Sequence, residues 1–81
     1  MLVPVMDDWR QRVASEPSVR GGEACIRGTR IPVSVIVACL ASGDDTAKII
    51  SEYPQLQPAD IQAALAYAAD VLHQERLVTI A

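Results

Sequence analysis

Phenylalanine is missing from this 81-residue sequence, and its aromatics amount to Trp9, Tyr53 and Tyr67. A core must therefore be built from Ile, Leu, Val and Ala, which the 51% hydrophobic share supplies in quantity. Cysteine is scarce too. Cys25 and Cys39 form no Cys-x-x-Cys pair, and His73 is the single histidine. This excludes zinc spacing and a disulfide framework, and it leaves two free, buried thiols in a reducing cytoplasm as the expectation. Long apolar runs are also lacking. The longest, Val35 to Ala41, falls far short of the roughly 20 residues that span a bilayer. The opening MLVPVMDDW has no basic stretch and meets Asp7 and Asp8 at once, unlike a signal peptide. A cytoplasmic location with no membrane partner follows as the expectation.

Catalytic vocabulary is thin as well. No Ser/His/Asp or Cys/His pairing and no phosphate loop occurs. Asp44-Asp45 reads as a turn and a helix cap, because a metal site needs further oxygen ligands nearby. His73 reads as a solvent-facing imidazole. The expectation is a protein that is not an enzyme, with no catalytic residue, no cofactor and no metal.

What is present is charge, unevenly spread. The net charge is −3. Residues 1–32 carry five Arg against Asp7, Asp8, Glu16 and Glu23, a net +1, and residues 33–81 carry Lys48 and Arg76 against six acids, a net −4. Nucleic-acid binders are usually basic overall, so DNA contact would have to come from a local patch around Arg20, Arg27 and Arg30. The acidic half suits a cationic protein partner. A chain this short hides only about 60% of its unfolded surface on folding. So much aliphatic surface on it points to burial against another chain, and self-association is the expectation.

Along the chain, residues 1–18 read as an N-terminal arm with a short helix through Trp9 to Val13, capped by Asp7 or Asp8. Residues 19–81 read as one domain with a C-terminal tail. Ala24–Ile26 and Arg30–Pro32 are short extended runs joined through Arg27-Gly28-Thr29, a small hairpin or hook in which Gly28 requires positive φ. Val33 to Ser42 is the first strong helix, with Ile36, Val37 and Leu40 on one face and Gly43 as its stop. Asp45 caps a second helix, Thr46 to Tyr53, which Pro54 ends. Pro58 opens a third at its first position, where a missing N–H costs little. Ile61, Leu65, Ala68 and Leu72 line one face of it, and Ala64, Tyr67 and Val71 carry the apolar surface round the side. The closing RLVTIA could add a strand to a partner's sheet.

Helix, Gly-containing turn, helix is the outline of a helix-turn-helix, with Thr46, Lys48 and Ser51 facing outward. Two short helices around a Gly are common in small helical domains, and Asp44, Asp45 and Glu52 would repel phosphate. Arg27 and Arg30 have two readings. Their planar forks could grip phosphate or a partner's carboxylate, or one of them could brace the fold against a carboxylate or helix carbonyls.

Several blocks together resemble the domain-of-unknown-function 433 family: Val19-x-Gly21-Gly22, Ile26-Arg27-Gly28-Thr29-Arg30-Ile31-Pro32-Val33, Leu40-Ala41-x-Gly43, Tyr53-Pro54-x-Leu56, and Asp60-Ile61-x-Ala63-Ala64-Leu65-Ala66-Tyr67-Ala68. The match runs over about residues 9–72. The chain departs from the pattern at Glu23-Ala24, where Lys-Pro is usual, and at Asp44-Asp45, where Leu-Ser is frequent. It also has Lys48 in place of an acid and Gln57 in place of a Ser or Thr cap. The resemblance implies a mainly α fold with a small β hook, a homeodomain-like or winged helix-turn-helix three-helix core, and a homodimer. It implies an antitoxin of a type II toxin–antitoxin pair, which binds and neutralises a PIN-like nuclease toxin and can repress the shared promoter.

On this reading Arg20, Arg27, Thr29, Arg30, Thr46 and Lys48 would face operator DNA. Val71, Leu72, Leu77, Val78 and Ile80 would supply burial against the cognate toxin, and Asp70 and Glu75 would meet its basic residues. The competing expectations are a stand-alone dimeric DNA-binding transcriptional regulator and an adaptor whose arginines only brace the fold.

Overall fold

The computed structural model describes residues 9–15 and 20–74. Three α-helices and one two-stranded antiparallel sheet make up the architecture. In chain order they are β1 (Val13–Ala14), β2 (Cys25–Ile26), α1 (Val33–Ala41), α2 (Thr46–Glu52) and α3 (Pro58–Gln74), with short 3-10 turns at Trp9–Gln11 and Arg20–Gly22.

The helix boundaries follow from local chemistry. Pro32 has an extended backbone and precedes the first residue of α1. The helix ends in a Schellman motif: Gly43, at φ 99°, donates its N–H to the Leu40 carbonyl, and Asp44 donates to the Cys39 carbonyl, both at 3.0 Å. A side chain at that φ would be strained, so glycine sits where the left-handed turn requires it. Asp45 caps α2 by accepting the Lys48 N–H at 2.8 Å. Pro58 opens α3 as expected. The poor cap at Gln57 is compensated from inside the helix, because Asp60 reaches back and accepts the Gln57 N–H at 2.9 Å. That is one half of a capping box, made by the acid alone.

The core draws Ile36, Ile49 and Ile61 from the three helices, together with Ile26 from the sheet, and each of the four is fully buried. Burial on this scale is worth about 2–3 kcal/mol per side chain.

Two sequence expectations are corrected. The helix through Trp9 to Val13 is instead a 3-10 turn of three residues, Trp9–Gln11, because Val13 is taken by the sheet. Val13 pairs with Ile26 and Ala14 with Cys25. The hook itself is present, with a bridge between Cys25 and Pro32 and an Ile26 N–H to Ile31 carbonyl bond of 3.0 Å. Cys25–Ile26 is therefore the middle of three extended segments, and part of the stretch read as an arm belongs to the core.

The face of α3 is also corrected. Asp60, Ile61, Ala63 and Ala64 are buried, while Leu65, Val71 and Leu72 are 42%, 39% and 65% exposed. The helix is apolar around most of its circumference, so its period left the phase open. The buried side is the one that places Ile61, Ala63 and Ala64 in the core, and Asp60 lies on it with its carboxylate 3.1 Å from the Arg12 guanidinium.

Candidate functional site

The Arg27–Arg30 turn is closed by its own side chains and backbone. Gly28 sits at φ 83°. The Thr29 hydroxyl donates to the Ile26 carbonyl at 2.8 Å and accepts the Ile31 N–H at 3.0 Å. Thr29 is thus occupied with the turn. Arg27 bends back over the first 3-10 turn. Its Nε donates to the Gln11 carbonyl at 3.1 Å, and Nη2 donates to the carbonyls of Arg10 at 2.9 Å and Val13 at 3.5 Å. A planar fork spanning several carbonyls is a task that lysine cannot perform. The expected result for Arg27→Ala is a loss of about 1–2 kcal/mol in urea unfolding, with Arg27→Lys recovering little of it; a wild-type midpoint for Arg27→Ala would remove the bracing role.

Arg30 is exposed and, among the described residues, is held by no hydrogen bond or ion pair. Arg20 opens the second 3-10 turn and is described through its backbone alone. On α2, Thr46 is half-buried and Lys48 is exposed, its Nζ 3.6 Å from Glu52 one helical turn on. Such a surface pair contributes little to stability, but it lowers the positive potential that Lys48 offers to solvent. The structure therefore brings Arg27, Thr29 and Arg30 together on one turn, while Thr46 and Lys48 sit on a separate helix beside Asp44 and Asp45.

At the other end, Asp70 accepts a hydrogen bond from the Trp9 indole N–H. Trp9 also meets Tyr67 edge to face, with ring centroids 5.0 Å apart, and Arg10 covers the Trp9 ring at 4.6 Å. Asp70 is therefore engaged within the chain. Val71 and Leu72 are exposed beside an apolar groove of about 370 Å³. Val33, Val37, Tyr67 and Ala68 form its walls with them, and Glu23 and Ser34 supply its polar side. The Ser34 hydroxyl donates to the Glu23 carboxylate at 2.9 Å. Glu75, Leu77, Val78 and Ile80, named above as partner-binding, lie outside the described residues.

Sequence reasoning passed over the Trp9–Asp70 bond, the Arg12–Asp60 pair and the groove. An acid two positions after Pro58 was the one local signal for Asp60, since that position favours an acidic side chain at the helix start. Cys25 is buried, Cys39 is half-buried, and both are free. Among the described residues no group of three His, Cys, Asp or Glu side chains could hold a metal ion, and no helix is long and apolar enough to cross a membrane.

Most of the described chain has counterparts in known proteins. The profile described as "Protein of unknown function (DUF433)" matches residues 13–68. The chain is 36% identical over 59 residues to the uncharacterized protein y4eO of Sinorhizobium fredii, a match over 73% of this chain and 27% of that protein. A crystal structure of a DUF433 member from Anabaena variabilis resembles it with a TM-score of 0.72 and 36% identity, over 78% of this chain and 62% of that one. The chain thus spans about a quarter of the y4eO protein and less than two thirds of the Anabaena chain. With the family profile covering the sheet, α1, α2 and most of α3, this protein belongs to the DUF433 family.

Proposed function

We propose that this chain acts as the antitoxin of a type II toxin–antitoxin pair, a homodimer that captures a PIN-like nuclease toxin through its C-terminal third. In this reading α1, the Ser42–Asp45 turn and α2 form a helix-turn-helix that serves chiefly as scaffold. The observation that carries protein capture ahead of DNA reading is the fate of Arg27, whose guanidinium is spent on the carbonyls of Arg10, Gln11 and Val13. Among the described side chains, what remains for phosphate is Arg30 and Lys48, the latter beside Asp44, Asp45 and Glu52. The acidic balance of residues 33–81 and the exposed Val71 and Leu72 favour a basic protein partner instead.

Co-expression of the tagged chain with the product of its neighbouring gene tests this. The expected result is co-purification of that product, with growth lost when the chain is omitted. The stand-alone regulator predicts the reverse: no partner and no toxicity, but DNA binding by the purified chain. In that case Arg30→Ala and Lys48→Ala should each flatten the salt dependence of binding by about 0.9 in log–log slope.

A further inference from the structure

We propose that residues 75–81 turn back over their own α3 and fill the groove between α1 and α3 as an extended strap. The docking depends neither on the toxin reading nor on a second copy. Connectivity favours this occupant. The described part of α3 runs to Gln74, two residues past Leu72, which stands 65% exposed at the groove. Seven extended residues reach about 23 Å. From Tyr67 to Leu72, the stretch of α3 that lines the groove, is about 7.5 Å of helix. A reversal next to Gln74 therefore leaves enough chain to cover it.

The pattern of the segment matches the groove. Val78, Thr79 and Ile80 are consecutive β-branched residues, which favour an extended backbone. With a period of two, Arg76, Val78 and Ile80 share one side, and Glu75, Leu77 and Thr79 the other. The first side carries one cation and two apolar side chains. The groove offers the complement, with apolar walls from Val33, Val37, Tyr67 and Ala68 and one charged side chain, Glu23. Glu23 accepts the Ser34 hydroxyl at 2.9 Å, and a carboxylate has further lone pairs for an arginine fork. Residues 1–8 are a rival apolar run, but their charged side chains are Asp7 and Asp8, which would meet Glu23 with like charge. In the strapped chain Val71 and Leu72 are engaged by Val78 and Ile80. A toxin then reaches these residues only by displacing the strap; that consequence rests on the antitoxin reading, and the docking does not.

Nuclear magnetic resonance of the full chain, without any toxin, tests this. The methyl groups of Val78 and Ile80 should show nuclear Overhauser contacts to the Tyr67 ring and the Val37 methyls. A sample mixed from labelled and unlabelled chains separates contacts within one chain from contacts between two. Val78→Asp combined with Ile80→Asp should move the Tyr67 and Val37 resonances to the positions they take in a chain truncated after Gln74, with the helical circular dichroism kept. Leu77→Asp, on the opposite side of the strap, should leave them at their wild-type positions. Any of three results in the wild-type chain overturns the strap: no contact from residues 75–81 into the groove, contacts between different chains only, or contacts from residues 1–8 in their place. Resonances that respond to Leu77→Asp and not to the Val78→Asp, Ile80→Asp pair overturn the side assigned to the groove.

Discussion

Replacing Asp60 with alanine should cost about 2–3 kcal/mol, despite the position being a single acid on a mostly apolar helix. Three losses coincide. The Arg12 guanidinium loses a partner 3.1 Å away, the Gln57 N–H loses its acceptor at 2.9 Å, and the positive end of α3 loses its nearby negative charge. The figure is kept below that of a fully buried pair because the Arg12 side chain is 29% exposed and partly solvated. On a domain of this size it corresponds to a fall of about 15 °C in melting temperature. Asp60→Asn separates the contributions. Its amide oxygen still accepts the Gln57 N–H, so roughly half the stability should return. A double-mutant cycle with Arg12→Ala should show a coupling of at least about 1 kcal/mol. If Asp60→Ala unfolds within 1 kcal/mol of wild type, the ion pair and the cap do not contribute as argued.

Trp9→Ala should be nearly as damaging, again by about 2–3 kcal/mol. The ring packs on Tyr67, bonds Asp70 and carries Arg10, and together these contacts fasten the start of the described chain to the far half of α3. Trp9→Phe keeps the ring and removes the donor, so it should lose about 1 kcal/mol. Equilibrium urea unfolding followed by circular dichroism measures both, since Trp9 is the sole tryptophan and its fluorescence disappears with it. The comparison also bears on the proposed partner surface. Trp9→Phe frees the Asp70 carboxylate, so if Asp70 met a basic toxin residue, capture should strengthen; unchanged capture would leave Asp70 with its structural role alone.

How far the sequence carried the fold depended on how local each determinant was. Gly43, Asp45, Pro54 and Pro58 set helix ends within a few residues of themselves, and all three helices lie close to where these residues place them. Gly28 announced its positive φ for the same reason. The pairing of Val13–Ala14 with Cys25–Ile26 gave no such signal, because two-residue strands carry no alternation to read. The inward turn of Asp60 was hidden too: periodicity counts apolar side chains, and this one is a carboxylate whose partner lies 48 positions away. At the candidate site, the bracing and gripping readings of Arg27 were both open until the carbonyls of the first 3-10 turn came within reach. Asp70 looked free for a partner, since the indole that claims it is 61 residues distant.

Those two distances bear on how the molecule is made. Local turns and caps can form as the chain leaves the ribosome, but Trp9 and Arg12 must wait for Asp70 and Asp60 to emerge. The N-terminal segment, first to be synthesised, is thus among the last to lock in place. Loop closure over such separations slows folding relative to a bundle held by neighbouring contacts. Until it is complete, the apolar side of α3 that Trp9 and Val13 cover stays open to solvent. A newborn chain therefore passes through an interval in which that apolar side is uncovered.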